Sequence, residues 1–366
     1  MLQLLHVPNL FDYATSELSQ DAALCYFLSY GAPQYEGGPH ASEHQFARVL
    51  LRKMFEICGK VFPTQIEKVD VRKQYRISGK YLDILVQVND IYVAIEDKRQ
   101  AQDHSDQLSI YSEIHKPLGV STEDVLLMYM QTGNQANLKN IESANFKLMS
   151  RSMLLSLFET EAGRLACSNS KIHRDFHLHF LKLEDQYRNF GVIDITKWET
   201  PSQIGFLEAL IARNKGEWAP AGGGGGGFRA YRGPVVQVDN ACAYLQVEAS
   251  NNEEPQIHLR FKVDVPRVSS KEEYIAAWDQ WHKRMMDAAA KSPLRSYIAK
   301  PHRATPTNFN RQNLNSHSLL VAKIDDGQNW KTSRIFPSVD SNSLLALDPT
   351  LATLKDCQTI LESLRG

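Results

Sequence analysis

At 366 residues, 43% of them hydrophobic and 23% charged, the chain has a globular composition and ample length for a core, with room for two structural units. Its formal net charge of −1 argues against a protein that coats nucleic acid broadly, but not against an enzyme that meets a few phosphates with local cations. No apolar run approaches a bilayer crossing, and the opening MLQLLHVPNLFDY lacks the marks of a signal peptide. The five cysteines (Cys25, Cys58, Cys167, Cys242 and Cys357) are scattered like reduced thiols, so a cytosolic protein with no membrane partner is expected.

The first predicted element is a helix opened by Thr15-Ser16-Glu17 and carried by Ala23, Leu24, Phe27 and Leu28. A hydroxyl with a nearby acid is an ordinary helix start, because the carboxylate meets the positive end of the dipole. A Gly/Pro-rich loop, YGAPQYEGGPH, leads to a second helix over 42–60, with Phe46, Val49, Leu50, Met54 and Phe55 at helical spacing and Gly59 to close it. His40 and His44 read as structural or exposed. Residues 67–77 and 81–88 read as paired strands joined through Ser78-Gly79. The stretch 91–98 is a third strand, entered through Asn89-Asp90, which tolerate the left-handed backbone of a two-residue hairpin. A helical segment at 107–111 follows. Pro117-Leu118-Gly119 then ends a helix before the strand 125–130.

Chemistry concentrates between Lys80 and Tyr111. A tight hairpin brings Asp83 and Glu96 together at one end of the sheet with Lys98 beside them. Side chains alternate along a strand, so Glu96 and Lys98 share a face while Asp97 points away, keeping its backbone carbonyl as a possible ligand. Hard Mg²⁺ takes one or two carboxylates together with substrate phosphate and several waters, and Mn²⁺ can substitute. A lysine there can orient an attacking water and offset charge in the transition state. Gln107 and Tyr111, four apart, share a helix face and can hold a water or a phosphate between them.

Asp83, Glu96 and Lys98 resemble the three signature positions of the PD-(D/E)XK nuclease superfamily, with Leu82 where the proline stands. Gln107-Leu108-Ser109-Ile110-Tyr111 resembles the QxxxY motif of its RecB-like branch, and the run from Glu17-Leu18-Ser19 resembles the opening helix of one bacterial subfamily. The resemblance implies an α/β fold: a restriction-endonuclease-like core, its central mixed sheet flanked by helices. It also implies a Mg²⁺-dependent nuclease acting on DNA, in a setting of restriction, repair or defence against phage, with protein partners of such a system. By the same resemblance Glu17 is an extra metal ligand beside Asp83, Glu96 and Asp97, with Asp21, one helical turn on, as its substitute. The order helix, Asp strand, ExK strand, Gln helix matches that core over roughly residues 10 to 135.

Beyond residue 135 the pattern is looser. Helices are expected at 149–161, 174–187 and 201–212. His173 and His177 share a face of the second of these, which reads as a solvated helix, not a zinc site. The six glycines at 222–227 read as a loop or linker, since no Lys-Ser/Thr follows to make a phosphate cradle. A β meander over 228–265, a helix at 274–291 with Trp278, Trp281 and Met285 as core, a short strand SLLVAKI and a closing helix at 351–365 complete a C-terminal α+β region. The expected division is a nuclease core over 1–160 and this region over 161–366.

Two cationic groups are candidate nucleic-acid contacts: Arg72, Lys73 and Arg76, with Lys68 and Lys80, on the strands leading into Asp83, and Arg303 with its basic neighbours in a later loop. A non-catalytic binding subunit, a nuclease acting on RNA, and a homo-oligomer all stay open at this level.

Overall fold

The computed structural model describes residues 8–99, 107–134, 138–221, 228–250, 256–301, 316–324, 338–339, 344–345 and 347–365. Arg303 and the glycines 222–227 lie outside them. The chain divides into two compact units, Met1–Glu184 and Asp185–Gly366. No helix among the described residues is long and apolar enough to cross a membrane.

The first unit is built on a five-stranded mixed sheet in the order β1 (Val69–Ile77), β2 (Lys80–Val88), β3 (Ile91–Lys98), β4 (Val125–Gln131), β5 (Lys147–Ser150). The first three strands are antiparallel, and β3, β4 and β5 run parallel. Both hairpin turns take left-handed residues: Ser78 (φ 47°) with Gly79 (φ 82°), and Asn89 (φ 52°). The Asn89 side chain also accepts the amides of Glu67 (2.9 Å) and Lys68 (3.2 Å), which fixes the chain as it enters β1.

Helices cover both faces, and strand alternation decides which residues meet which helices. On one face Ile84, Val86, Val93, Ile95 and Met128 bury against Leu24, Phe27 and Leu28 of α1 (Glu17–Ser29) and Phe46, Leu50 and Met54 of α2 (Ala41–Ile57). Ser16 caps α1 by accepting the Ser19 amide, and Gly59, at φ 70°, follows the end of α2. On the other face Leu85, Ala94 and Tyr129 pack with Leu108 and Tyr111 of α3 (Gln107–Ser112), with Ile114 just before α4 (His115–Leu118), and with Ile141 of α5 (Lys139–Ser143).

Three helices follow: α6 (Arg151–Phe158), α7 (Glu161–Asn169) and α8 (Lys171–Arg188). The single helix expected at 149–161 is therefore a strand end and a helix, and α7 has no counterpart in the sequence reading. Thr160 explains the break, because its side chain caps a new helix by accepting the Gly163 amide. The first unit takes in α7 and most of α8, beyond residue 160, because Phe176 and Phe180 belong to its main core.

The solvated reading of α8 is corrected at His173, which is fully buried. Its ring lies 4.1 Å from that of Phe27 and 5.5 Å from that of Phe46. Nδ1 is 2.8 Å from the Ser170 hydroxyl, while Nε2 has no hydrogen-bond partner. His177 is half-buried and stacked on Phe158.

In the second unit α9 (Thr200–Asn214) precedes an antiparallel sheet of β6 (Glu217–Ala221), β7 (Phe228–Arg232), β8 (Val236–Val238), β9 (Ala241–Ser250), β10 (Gln256–Pro266), β11 (Ile298–Ala299) and β12 (Ser316–Ile324). Apolar residues Ala243, Leu245 and Val247 alternate along β9 with Tyr244, Gln246 and Glu248. The second set carries a polar network that includes Arg232–Asp264 (3.1 Å) and Arg260–Glu248 (2.9 Å). Trp278, Trp281 and Met285 of α10 (Lys271–Ala288) are buried, as their helical stripe predicts, and α11 (Leu347–Glu362) buries Leu354, Cys357 and Ile360.

Burial pulls the His173 imidazole down to about 4, whereas an unfolded histidine takes its proton near about 6.5. The folded pKa is depressed, so this contribution to stability is complete above the unfolded value and is lost as pH falls through the folded one, by up to about 3 kcal/mol. Urea unfolding of His173→Phe should accordingly weaken less between about pH 7 and pH 4 than that of the parent protein. Identical pH dependence in the two proteins would contradict the assignment.

Candidate active site

The β2–β3 ladder runs as far as the pair Ile84–Ile95 and then opens. Asp83, the next residue outward on β2, turns its carboxylate into the gap: Oδ2 accepts the backbone amide of Asp97 at 2.9 Å, in place of a strand carbonyl. Oδ1 accepts from the Gln74 side chain at 3.2 Å. Gln74 sits inside β1 at φ 55°, a conformation that costs a residue with a Cβ about 1–3 kcal/mol. Leu82 packs with the α3 cluster and Ile84 with the α1 cluster although they are two apart, so β2 changes its facing around Asp83.

Three charged side chains follow at the end of β3: Glu96 and Asp97 at 0% exposure and Lys98 at 8%. Alternation sends them to opposite faces, as the sequence predicts. Lys98 Nζ lies 2.6 Å from Glu96 Oε1 and 3.7 Å from Asp83 Oδ2, so it bridges the two carboxylates. From α3 the Gln107 amide donates to Glu96 Oε1 at 3.0 Å and to the Tyr111 hydroxyl at 2.8 Å. Tyr111 in turn donates to the backbone carbonyl of Tyr81 at 2.6 Å. Asp83, Lys98, Glu96, Gln107 and Tyr111 thus form one connected polar chain.

Charge is balanced unevenly along this chain. Burial, and then the neighbouring charge of Asp83, pushes the Glu96 carboxyl up to about 8. Burial acts on the Lys98 ammonium in the destabilising direction, but the negative charges of Glu96 and Asp83 outweigh it, and the net shift is upward. Lys98 therefore stays protonated at neutral pH. Glu96 Oε2 is buried and accepts no hydrogen bond.

The Asp97 side chain faces α1. Its Oδ2 accepts from Gln20, whose amide also donates to the Thr132 hydroxyl at 2.6 Å, and Thr132 donates its backbone amide to the Lys98 carbonyl at 3.1 Å. Asp21 lies beside Asp97, 1% exposed, with neither carboxylate oxygen hydrogen-bonded in the structure. Burial first, then the charge of Asp83, pushes it up to about 7. Just past Thr132, a Cβ on Gly133 would stand 1.2 Å from the Arg99 carbonyl, so the crossing of these two strand ends admits only glycine.

Other expected residues lie apart from the chain. Glu17 accepts the Arg99 backbone amide at 3.2 Å with Oε1. On the edge strand β1, Arg72 pairs with Asp70 at 2.8 Å and Lys73 donates to the Leu18 carbonyl at 2.9 Å, while Arg76 is exposed and makes no ion pair among the described residues.

A family model for the PD-(D/E)XK nuclease superfamily matches residues 8–202, over half of the chain. The chain belongs to this superfamily. No curated protein and no solved structure matches it. Membership agrees with the mixed five-stranded sheet flanked by helices and supports a nuclease, with a nucleic acid as the substrate class.

Several residues of this cluster are not among those the sequence singles out. Gln20 stood unremarked in the opening helix beside Asp21, and nothing in the spacing distinguished Gln74, Thr132 or Gly133. Glutamine at strand or helix positions carries no periodic signal, and its role here arises only when β1, α1 and β4 meet the end of β3.

Tyr111 is fully buried, and its hydroxyl ties α3 to β2. Tyr111→Phe should lower the unfolding free energy by about 1–2 kcal/mol, since the Tyr81 carbonyl loses its donor and Gln107 an acceptor. Denaturant titration reads this directly, and an unchanged midpoint would show that the hydroxyl contributes nothing.

Proposed function

We propose that the first unit hydrolyses DNA phosphodiester bonds with a divalent cation, Mg²⁺ or Mn²⁺, as cofactor. The observation that carries this reading is the convergence of Asp83 and Glu96 on Lys98 at opened strand ends, with Gln107 braced on Glu96.

The donor set fits such a cation. Burial first, and then the charge of Asp83, push Glu96 up to about 8, a penalty on its charged form that a bound cation would relieve, and Glu96 retains a buried oxygen without a hydrogen bond. No group of three or more His, Cys, Asp or Glu side chains able to hold a metal gathers among the described residues. Mg²⁺ suits this arrangement better than a metal needing a full protein cage, because it keeps several waters and takes one or two carboxylates with substrate phosphate. Asp83 and Glu96 would hold it by their side chains and Asp97 by its backbone carbonyl. Glu17 as a further ligand is less well supported than Asp21, since its Oε1 already accepts the Arg99 amide. When bound, the cation supplies Lewis acidity at the phosphate.

The chain's own residues do the rest. Lys98, held protonated, donates to the attacking water or the phosphate and offsets negative charge that grows in the transition state; a charged ammonium is not the base. Gln107 and Tyr111 keep Glu96 and the β2 main chain in register. This pairing favours the RecB-like branch, and by the same resemblance work in restriction, repair or phage defence. Arg76 is the β1 cation best placed to meet phosphate, because Arg72 and Lys73 already have partners.

Purified protein incubated with linear, circular and single-stranded DNA should cleave only with Mg²⁺ or Mn²⁺, and undiminished activity in excess EDTA rejects the metal mechanism. Asp83→Ala and Lys98→Ala should each lower the rate about a hundredfold or more, corresponding to roughly 3 kcal/mol, with circular dichroism unchanged. Parent rates in either variant would refute their roles. Gln107→Ala should reduce the rate more than its modest loss of stability accounts for, measured well below the melting temperature, and an unaltered rate would leave α3 a packing element.

A further inference from the structure

Tyr81 is an exposed aromatic joined to the polar chain through its own backbone. It occupies the second position of β2, two residues before Asp83, so its main chain stands about 7 Å along the strand from that of Asp83. Its carbonyl accepts the Tyr111 hydroxyl at 2.6 Å, which fixes its main chain relative to Gln107 and Glu96. Its side chain, in contrast, is 52% exposed, and among the described residues neither its ring nor its hydroxyl has a partner. Across the hairpin its Cα partner is Arg76, and Lys80 precedes it. Both cations are exposed and form no ion pair among the described residues.

A solvated ring on a strand is unremarkable by itself. Here it is combined with two unpaired cations and a main chain that is fixed to the Gln107–Glu96 chain two residues before Asp83. An aromatic face offers a base somewhere to stack, and every base has a π-face, so such contacts do not depend on sequence. In an intact duplex those faces are already stacked on their neighbours, and a surface ring gains contact only with a nucleotide that is out of the stack. Cations alongside would meet the phosphates flanking that nucleotide.

We propose that Tyr81 is the stacking platform for an unpaired nucleotide next to the scissile phosphate, with Arg76 and Lys80 on the adjoining phosphates, so that the substrate is single-stranded DNA. This rests on the nuclease reading above. It adds the strandedness of the substrate and assigns a residue that reads it.

The test compares the full-length protein with Tyr81→Ala, Tyr81→Trp and Arg76→Ala on matched single-stranded and duplex oligonucleotides. Cleavage is followed with Mg²⁺, and binding in EDTA by quenching of a 2-aminopurine placed along the single strand. The expected result is preference for the single strand, a KM raised about tenfold by Tyr81→Ala with kcat little changed, and retention by Tyr81→Trp. Quenching should be lost in Tyr81→Ala, and Arg76→Ala should weaken binding with a shallower salt dependence. Equal loss on duplex and single strand, or no effect of Tyr81→Ala on the single strand, overturns the proposal. If no nucleic acid is cleaved, the nuclease reading fails by itself. Quenching that depends on Tyr81 would then still support the platform, and quenching absent in the parent protein would refute it. Stronger binding and cleavage of single-stranded RNA would overturn the choice of DNA.

Discussion

Three consecutive charged residues buried at the end of a central strand are the constraint around which the first unit is arranged. Glu96, Asp97 and Lys98 are nearly inaccessible, and an ion removed from water without compensation costs several kcal/mol. Each of the surrounding elements answers one of these groups. β2 sends Asp83 to the Asp97 amide and to Lys98, α3 sends Gln107 to Glu96, and α1 sends Gln20 to the Asp97 carboxyl. The compensation is incomplete: Asp21, Asp97 and Glu96 all keep a buried oxygen without a hydrogen bond, and their carboxyls are held upward by burial. Three carboxyls left incompletely satisfied side by side are what a site kept for function looks like.

The opening of the β2–β3 ladder is the structural means to this end. Had the ladder continued, the Asp97 amide would bond a strand carbonyl and Asp83 would have no reason to turn inward. The left-handed backbone at Gln74, directly alongside, interrupts the regular pleat of β1, and the Gln74 side chain supplies a donor for the other Asp83 oxygen. Local strain and side-chain satisfaction are thus coupled in two neighbouring strands.

Much of this was readable from the residues. The Asn89-Asp90 turn, the period-two alternation on either side of it and the spacing of Asp83, Glu96 and Lys98 are local signals, and the hairpin turns them into proximity. The QxxxY spacing likewise needs only one helical turn to put Gln107 beside Tyr111. The partners that reach the cluster from distant sequence were not readable: Gln20 from α1, Gln74 from β1, Thr132 from beyond β4. Their amides and hydroxyls are ordinary in sequence and acquire a role only from tertiary placement. His173 was misread for a related reason. Without a third ligand or an HExxH pattern the two histidines suggest only a solvated helix face, yet the ring of His173 fills an aromatic pocket among Phe27, Phe46 and Tyr26. Helix α7 has no counterpart in the sequence reading, because its start rests on the capping bond from Thr160, a threonine between two glutamates that has no apolar period to mark it.

The sheet of the first unit has two open edges, β1 and β5, among the described residues. Unpaired edges invite a second chain to add a strand and so to aggregate. β5 is only four residues long, which offers little to pair with. β1 is nine residues long and would be the greater hazard, but Arg72, Lys73 and Arg76 line it and the left-handed turn at Gln74 interrupts its pleat. Exposed cations and a broken pleat are features by which natural edge strands discourage pairing. The irregularity beside Asp83 therefore also makes β1 a poorer template for an added strand.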